Sequence, residues 1–257
     1  MAGGWDPAQY EKFRDERRQP FFDLLAMIEA IPGGRAVDLG CGTGELTRVL
    51  HESKKLTVTI GIDNSEAMLA KAEAFAGDGL RFKLGTFLRF APQKPLDLVF
   101  SNAALQWAPE HEKLFERLSA GLAPGGQLAV QMPANHDHPS HVIADAVAQE
   151  EPFASELDGY RRQWPVQQPD WYAELLHRLD FERIDVRLQI YPHLLDSRED
   201  VVEWVKGTYL TAYGSRMSEA AYDEYLARYR ERLLETLPDE RPYLYTYKRI
   251  LMHGWKR

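Results

Sequence analysis

The densest run of chemically suggestive residues is VDLGCGTG, from Val37 to Gly44. It sets Asp38, Gly40, Gly42 and Gly44 two residues apart around Cys41. A short apolar run precedes it and the helical run ELTRVLHES follows, so it reads as a strand-to-helix turn. At such turns backbone N–H groups face a ligand, and glycine permits close approach where a Cβ would collide or force a poor dihedral. A dinucleotide fingerprint read from Gly40 needs glycine at position 45, and that residue is Glu45. An acidic side chain is poor company for a pyrophosphate, which argues against a dehydrogenase. Asp63 lies 19 residues after Gly44, at the end of LTVTIGID. Its carboxylate can accept both hydroxyls of a ribose. Together these residues predict an adenosyl ligand without phosphates. The bland alternative is a glycine-rich turn with a helix-capping Asp63.

Such a site needs a frame. RAVDLG (35–40), LTVTIGID (56–63), LRFKLGTF (80–87), LDLVFSNA (96–103) and QLAVQMP (127–133) read as strands. ELTRVLHES, SEAMLAKAEAFA (65–76) and APEHEKLFERLSAGL (108–122) read as helices, the last closed by a PGG turn at 124–126. Strands alternating with helices mean βαβ units and a parallel sheet. The near-continuous apolar character of LDLVF and QLAVQM fits strands covered on both faces. Residues 7–31 read as helical. Beyond 133 come helical patterns at 141–149, 171–179, 197–210 and 218–237, and strands at 181–195 and 243–257. Two helices alone would have a thin core, so the 197–237 pair reads as a cap inserted between the last two strands.

The 257 residues carry 31 Lys+Arg against 39 Asp+Glu, a formal net charge of −8. With 44% hydrophobic and 27% charged residues, the chain has ordinary globular composition and enough length for a core without disulfide or metal staples. The acidity argues against broad nucleic-acid binding, so an anionic partner would need basic residues that converge locally. No apolar run approaches the roughly 20 residues of a membrane helix, and the N-terminal stretch has no signal-peptide core. The one cysteine excludes an internal disulfide and fits a reducing cytoplasm.

VDLGCGTG and GIDNSEAML resemble the first two motifs of the class I S-adenosylmethionine-dependent methyltransferases. SNAALQW (101–107) resembles their segment after the fourth strand, and LAPGGQLAVQ (122–131) their turn and fifth strand. This resemblance covers about residues 34–133. It implies a doubly wound α/β fold whose seven-stranded, mostly parallel sheet has an antiparallel last strand, with S-adenosylmethionine as cofactor. The parts would be an N-terminal helical lid (1–33), a Rossmann-like core (34–195 and 243–257) and a helical cap insertion (196–242).

The same resemblance implies a cofactor site. Gly40, Cys41 and Gly42 would form the turn, Asp38 would orient it or meet the methionine amino group, and Asp63 would hold the ribose. Met68 would lie on the adenine face. Thr86 stands where many relatives carry an acid for the adenine amino group, with the Phe87 backbone beside it. Asn102 and Ala103 would lie at the carboxyl edge of the sheet, where ligands of such folds sit. Tyr10, on one face with Phe13, would belong to the lid, and Trp107 would wall the transfer chamber. Each has a structural alternative: a cap for Asp38, core packing for Met68, Tyr10 and Trp107, and a strand terminus for Asn102 and Ala103.

The flanking segments WDPAQYEKFRDERRQPFFDLL, MPANHDHPSH and VVEWVKGTYLTAY resemble a small-molecule branch of that family, from near Trp5 to about Arg232. The branch implies a small polycarboxylate acceptor and a methyl ester product. A carboxylate is ionised at pH 7, so no general base is required. An amine or phenol acceptor would raise the importance of a histidine such as His111 or His136. Of the basic residues Arg14, Arg17, Arg18, Lys206, Arg241, Lys248 and Arg249, Arg17 and Lys206 are the leading carboxylate clamps. His136, His138 and His141 have H-x-H-x-x-H spacing but neither cysteine partners nor a metal-binding helix motif, so no metal is expected. Rival readings are another small-molecule or carrier-linked acceptor, and a non-catalytic S-adenosylmethionine-binding protein.

Overall fold

The computed structural model describes residues 14–257, with side chains from Arg18 onward. Seven strands form one sheet: β1 (Arg35–Leu39), β2 (Val58–Asp63), β3 (Leu80–Leu84), β4 (Leu96–Asn102), β5 (Leu122–Pro133), β6 (Phe181–Leu195) and β7 (Tyr243–Lys256). Their order is β3-β2-β1-β4-β5-β7-β6. The pairs from β3 to β5 are parallel, and β7 runs antiparallel to β5. This is the predicted doubly wound sheet. The order reverses beside β1, so the carboxyl ends of β1 and β4 flank the switch point where ligands of open α/β sheets bind.

The chain forms two compact units. The larger contains Arg18–Pro133, Pro165–Gln189 and Arg249–Arg257. Its strands are apolar because both faces are covered: Val37, Leu39, Leu98, Val99, Phe100, Leu128 and Val130 are all buried. Covering them are α1 (Arg14–Met27), with Phe21 and Leu24, α2 (Glu45–Ser53), with Leu50, and α4 (His111–Ala120), with Phe115 and Leu118. Between α2 and α4 lies α3 (Glu66–Ala72), capped by Ser65, whose hydroxyl accepts the Met68 N–H at 3.3 Å.

One local expectation fails here. The PGG segment does not end a helix ahead of the fifth strand but lies inside β5. Leu96 pairs with Leu122 and Leu98 with Gln127, so the intervening residues bulge out of the ladder, helped by Gly125 at φ +78°.

The smaller unit takes in Ala134–Trp164 and Ile190–Lys248, which is more chain than the expected cap at 196–242. It contains α5 (Pro139–Ala148), α8 (Glu199–Lys206) and α10 (Glu219–Thr236), with short turns α6 (Phe153–Glu156) and α9 (Thr211–Gly214); α7 (Pro169–Arg178) belongs to the larger unit. The thin core feared for two lone helices is thickened by residues 134–164. Val147, Phe153, Trp204, Tyr213, Tyr225 and Tyr229 join one buried cluster. The tyrosine hydroxyls are satisfied: Tyr225 donates to the Ala144 carbonyl at 3.1 Å and Tyr229 to that of Ser140 at 2.9 Å. No helix among the described residues is long and apolar enough to cross a membrane.

Candidate active site

The turn after β1 departs from the phosphate-cradle picture. The N–H groups of Gly40 and Cys41 donate to the Ile62 carbonyl at 2.8 and 3.1 Å, and that of Gly44 to the Cys41 carbonyl at 3.1 Å. The Gly42 N–H donates to Asp63 Oδ2 at 2.9 Å. These N–H groups are spent inside the protein, so they do not form the anion nest that a pyrophosphate requires. Two glycines are needed here for different reasons. Gly40 has φ +80°, and a Cβ on it would lie 2.2 Å from the Ala104 Cβ, so it permits β1 to meet the segment after β4. Gly42 has φ +55°, and a Cβ there would meet nothing within 4 Å, which leaves its Cα open to a ligand.

Two carboxylates dominate the electrostatics. Asp63 accepts from Gly42 through Oδ2 and from the Ser65 N–H through Oδ1 at 3.0 Å. A carboxylate has about four acceptor sites, so both oxygens retain capacity for ribose hydroxyls. Asp38 is buried and accepts the Thr47 hydroxyl at 2.6 Å. Burial pushes its pKa up to about 7, against the Thr47 hydrogen bond and with help from the nearby Asp63 charge. Cys41 is held as a thiol by burial and by the same two acids, so it is no nucleophile. These two carboxylates suit a ligand with ribose hydroxyls and positive charge, such as the sulfonium and ammonium of S-adenosylmethionine, and suit a pyrophosphate poorly. Glu45, where the dinucleotide pattern needs glycine, pairs with Arg18 at 3.1 Å.

The other expected cofactor residues are distributed around this turn. Half-buried Met68 lies in the first turn of α3. Thr86 follows β3 and caps a 3₁₀ turn (Phe87–Arg89), its Oγ1 accepting the Leu88 N–H at 3.2 Å. One lone pair of that hydroxyl remains, and Phe87 is half-buried. Asn102 ends β4, and Ala103 follows at φ +54°, its N–H donating to the Gln131 carbonyl at 2.9 Å. Trp107 ends a 3₁₀ turn (Leu105–Trp107) and is 56% exposed. Tyr10 lies outside the described residues, as does the side chain of Arg17 in α1. Half-buried Lys206 is the last residue of α8, in the smaller unit.

His136 packs against Trp164, centroids 5.6 Å apart, with its buried Nδ1 lacking a hydrogen-bond partner, whereas His138 and His141 are engaged structurally. His138 Nδ1 accepts the Ser140 N–H at 3.1 Å and caps α5. His141 packs edge-on against Tyr209, centroids 4.5 Å apart. Burial lowers their pKa values to about 4 and about 3. Among the described residues no group of three or more His, Cys, Asp or Glu is placed to hold a metal. His111 is buried, with Nε2 3.0 Å from the Leu105 carbonyl and Nδ1 2.5 Å from the Tyr172 hydroxyl. The Leu105 carbonyl can only accept, so the neutral ring carries its proton on Nε2 and donates it there, and Nδ1 accepts from the Tyr172 hydroxyl, which itself accepts the Gln167 N–H at 3.1 Å. With both nitrogens used, His111 clamps the turn that carries Trp107 and is no free base. Sequence reading missed this clamp, because Tyr172 is 61 residues away and no local pattern joins the two. It also passed over Gln131, fully buried on β5, because a strand apolar on both faces has no alternation to mark one position.

Comparison with known proteins agrees with this geometry. A family model described as a methyltransferase domain matches residues 32–176. The trans-aconitate 2-methyltransferase of Deinococcus radiodurans is 44% identical over 96% of both chains. That of Sinorhizobium medicae is 42% identical over 91% of both, and that of Streptomyces avermitilis 39% identical over 96% of this chain and 94% of its own. Among solved structures, Haemonchus contortus phosphoethanolamine N-methyltransferase 2, in complex with S-adenosyl-L-methionine, superposes with a TM-score of 0.56 at 19% identity. It is matched over 92% of this chain, which spans about half (52%) of that structure. The Bacillus YcgJ protein superposes with a TM-score of 0.61 at 16% identity, over 93% of this chain and 99% of its own. These structures share the fold, and the curated relatives share the sequence almost end to end. The chain belongs to the class I S-adenosylmethionine-dependent methyltransferases.

Proposed function

We propose that the chain methylates a carboxylate of a small polycarboxylic acid, with trans-aconitate as the first acceptor, to give a monomethyl ester. The observation that carries this reading is the identity of 44% over 96% of both chains with a trans-aconitate 2-methyltransferase.

S-adenosylmethionine supplies a methyl group on a sulfonium, with a neutral thioether as leaving group. The acceptor carboxylate is ionised at pH 7, since its ordinary pKa is ~4. One of its oxygens forms the new O–CH₃ bond as the S–CH₃ bond breaks, and the bonding pair stays on sulfur. No proton moves, so the site needs no general base. The chain's own task is placement and desolvation. Asp63 and Gly42 fix the turn, Asp38 balances cofactor charge, and the buried His111–Tyr172 pair holds the turn bearing Trp107. Arg17 and Lys206 are candidate clamps for the remaining carboxylates. The single cysteine fits a cytoplasmic setting.

The testing experiment offers labelled S-adenosylmethionine and a panel of di- and tricarboxylates, with an amine and a phenol as controls. Ester from a polycarboxylate and no product from the controls is the expected result. The reverse pattern removes the carboxylate reading and leaves the methyltransferase assignment intact.

A further inference from the structure

The strand register gathers a set of polar residues on one face of the larger unit's sheet. Asp38 pairs with Phe100, Asn102 with Gln131, Gln131 with Leu251, and Pro133 with Arg249. Paired residues point to the same side and residues two apart on a strand share a face. Asp38, Asn102, Gln131 and Arg249 therefore lie on one face, in a row from β1 across the carboxyl ends of β4 and β5 to β7.

Gln131 stands out in this row. It is 0% exposed, yet its Nε2 and Oε1 are both buried without a hydrogen-bond partner. The Oδ1 of Asn102, directly beside it, is in the same condition. Folded proteins rarely leave both ends of a buried amide unsatisfied, because each lost hydrogen bond is uncompensated by water. Arg249 puts a permanent positive charge on the same face while being only 7% exposed. Its guanidinium has five N–H donors, enough to serve a bound carboxylate besides its protein contacts. Adjacent strands are ~4.8 Å apart, so one small acid can span the two long side chains.

We propose that Gln131 and Arg249 form the acceptor subsite: Gln131 Nε2–H and the Arg249 guanidinium hold a carboxylate of the methyl acceptor. This rests on the carboxylate methyltransferase reading. It places the acceptor over β5 and β7, two and three strands from β1. Asn102, one strand nearer the glycine turn, lies between acceptor and cofactor. Methyl transfer then occurs at the switch point beside β4. The carboxylate held by Gln131 and Arg249 is one that is not methylated, and its partner on the same molecule faces the methyl.

The test is Gln131→Met, which removes both orphaned groups at similar volume. Three quantities are measured: the melting temperature, S-adenosylhomocysteine binding by calorimetry, and the steady-state constants for the polycarboxylate. The subsite predicts an equal or higher melting temperature and product binding within about twofold of wild type. It predicts a loss of kcat/KM of about tenfold to a hundredfold, the span for a hydrogen bond to a charged group. Gln131→Glu, nearly isosteric but anionic, loses more. Arg249→Lys keeps charge but not the fork, and raises KM. Wild-type kcat/KM in Gln131→Met overturns the subsite, and so does a melting temperature well below wild type, which would make the amide a structural element. A wild-type enzyme that binds S-adenosylhomocysteine but esterifies no carboxylate overturns the parent reading instead, and the carboxylate occupant with it.

Discussion

The Asp63 carboxylate accepts the Gly42 N–H at 2.9 Å, which ties the end of β2 to the crest of the glycine turn. The residue expected to hold a ribose is thus also the residue that shapes the turn. Asp63→Ala removes both roles. Affinity for S-adenosylmethionine and S-adenosylhomocysteine is expected to fall by about 1.5–3 kcal/mol, the range for hydrogen bonds to a charged group. Calorimetry on the folded variant checks this, and unchanged affinity would remove Asp63 from the cofactor site.

Thr86 already caps the 3₁₀ turn after β3 through its hydroxyl. Aspartate caps equally well and adds a charged acceptor. Thr86→Asp is therefore expected to leave cofactor affinity equal or better by titration. A large loss with the fold intact would mean that residue 86 faces an apolar part of the ligand pocket.

Asp38 gives the cofactor site a pH dependence. Its pKa of about 7 in the free protein means that it is largely protonated below neutrality. A ligand carrying ammonium or sulfonium charge favours the ionised form, so binding releases a proton there. Affinity is expected to fall as pH drops below about 7, at most roughly tenfold per pH unit. Asp38→Asn should bind more weakly at pH 8 and lose that slope. A wild-type affinity flat from pH 8 to 6 contradicts this role.

The buried histidines should make stability fall on acidification as well. His111, His138, His141 and His253 are all held neutral by burial, with pKa values below the ordinary 6.5. The unfolded chain then binds protons that the folded chain refuses. The folded state keeps full stability above about pH 6.5 and loses it as pH falls, by about 1 kcal/mol per histidine per unit. Asp38, raised to about 7, opposes this with one proton, so the net effect remains a loss. Melting temperatures at pH 7 and 5 in the absence of ligand check it; an unchanged or higher value at pH 5 would contradict it.

Much of this was legible in the sequence. The α2 run ELTRVLHES and the strand ending at Asp63 appear where periodicity put them, because alternating apolar runs separated by glycine have few other solutions. The glycine turn was legible as a turn, but the destination of its N–H groups was not. Only the register of β1 against β2 brings Asp63 and the Ile62 carbonyl to it. The bulge at Gly125 escaped notice because Pro-Gly-Gly reads as a terminator whether it ends an element or interrupts one. Gln131 could not be distinguished from its apolar neighbours without knowing that its amide has no partner.

The most direct measurement follows methyl transfer from labelled S-adenosylmethionine to trans-aconitate by mass spectrometry, with wild-type protein and Gln131→Met in parallel. The account predicts a monomethyl ester with wild type, and a rate at low acceptor concentration reduced about tenfold or more in the variant. Ester formation at equal rates in both would contradict the acceptor subsite. No ester from trans-aconitate or any related polycarboxylate would contradict the carboxylate methyltransferase itself.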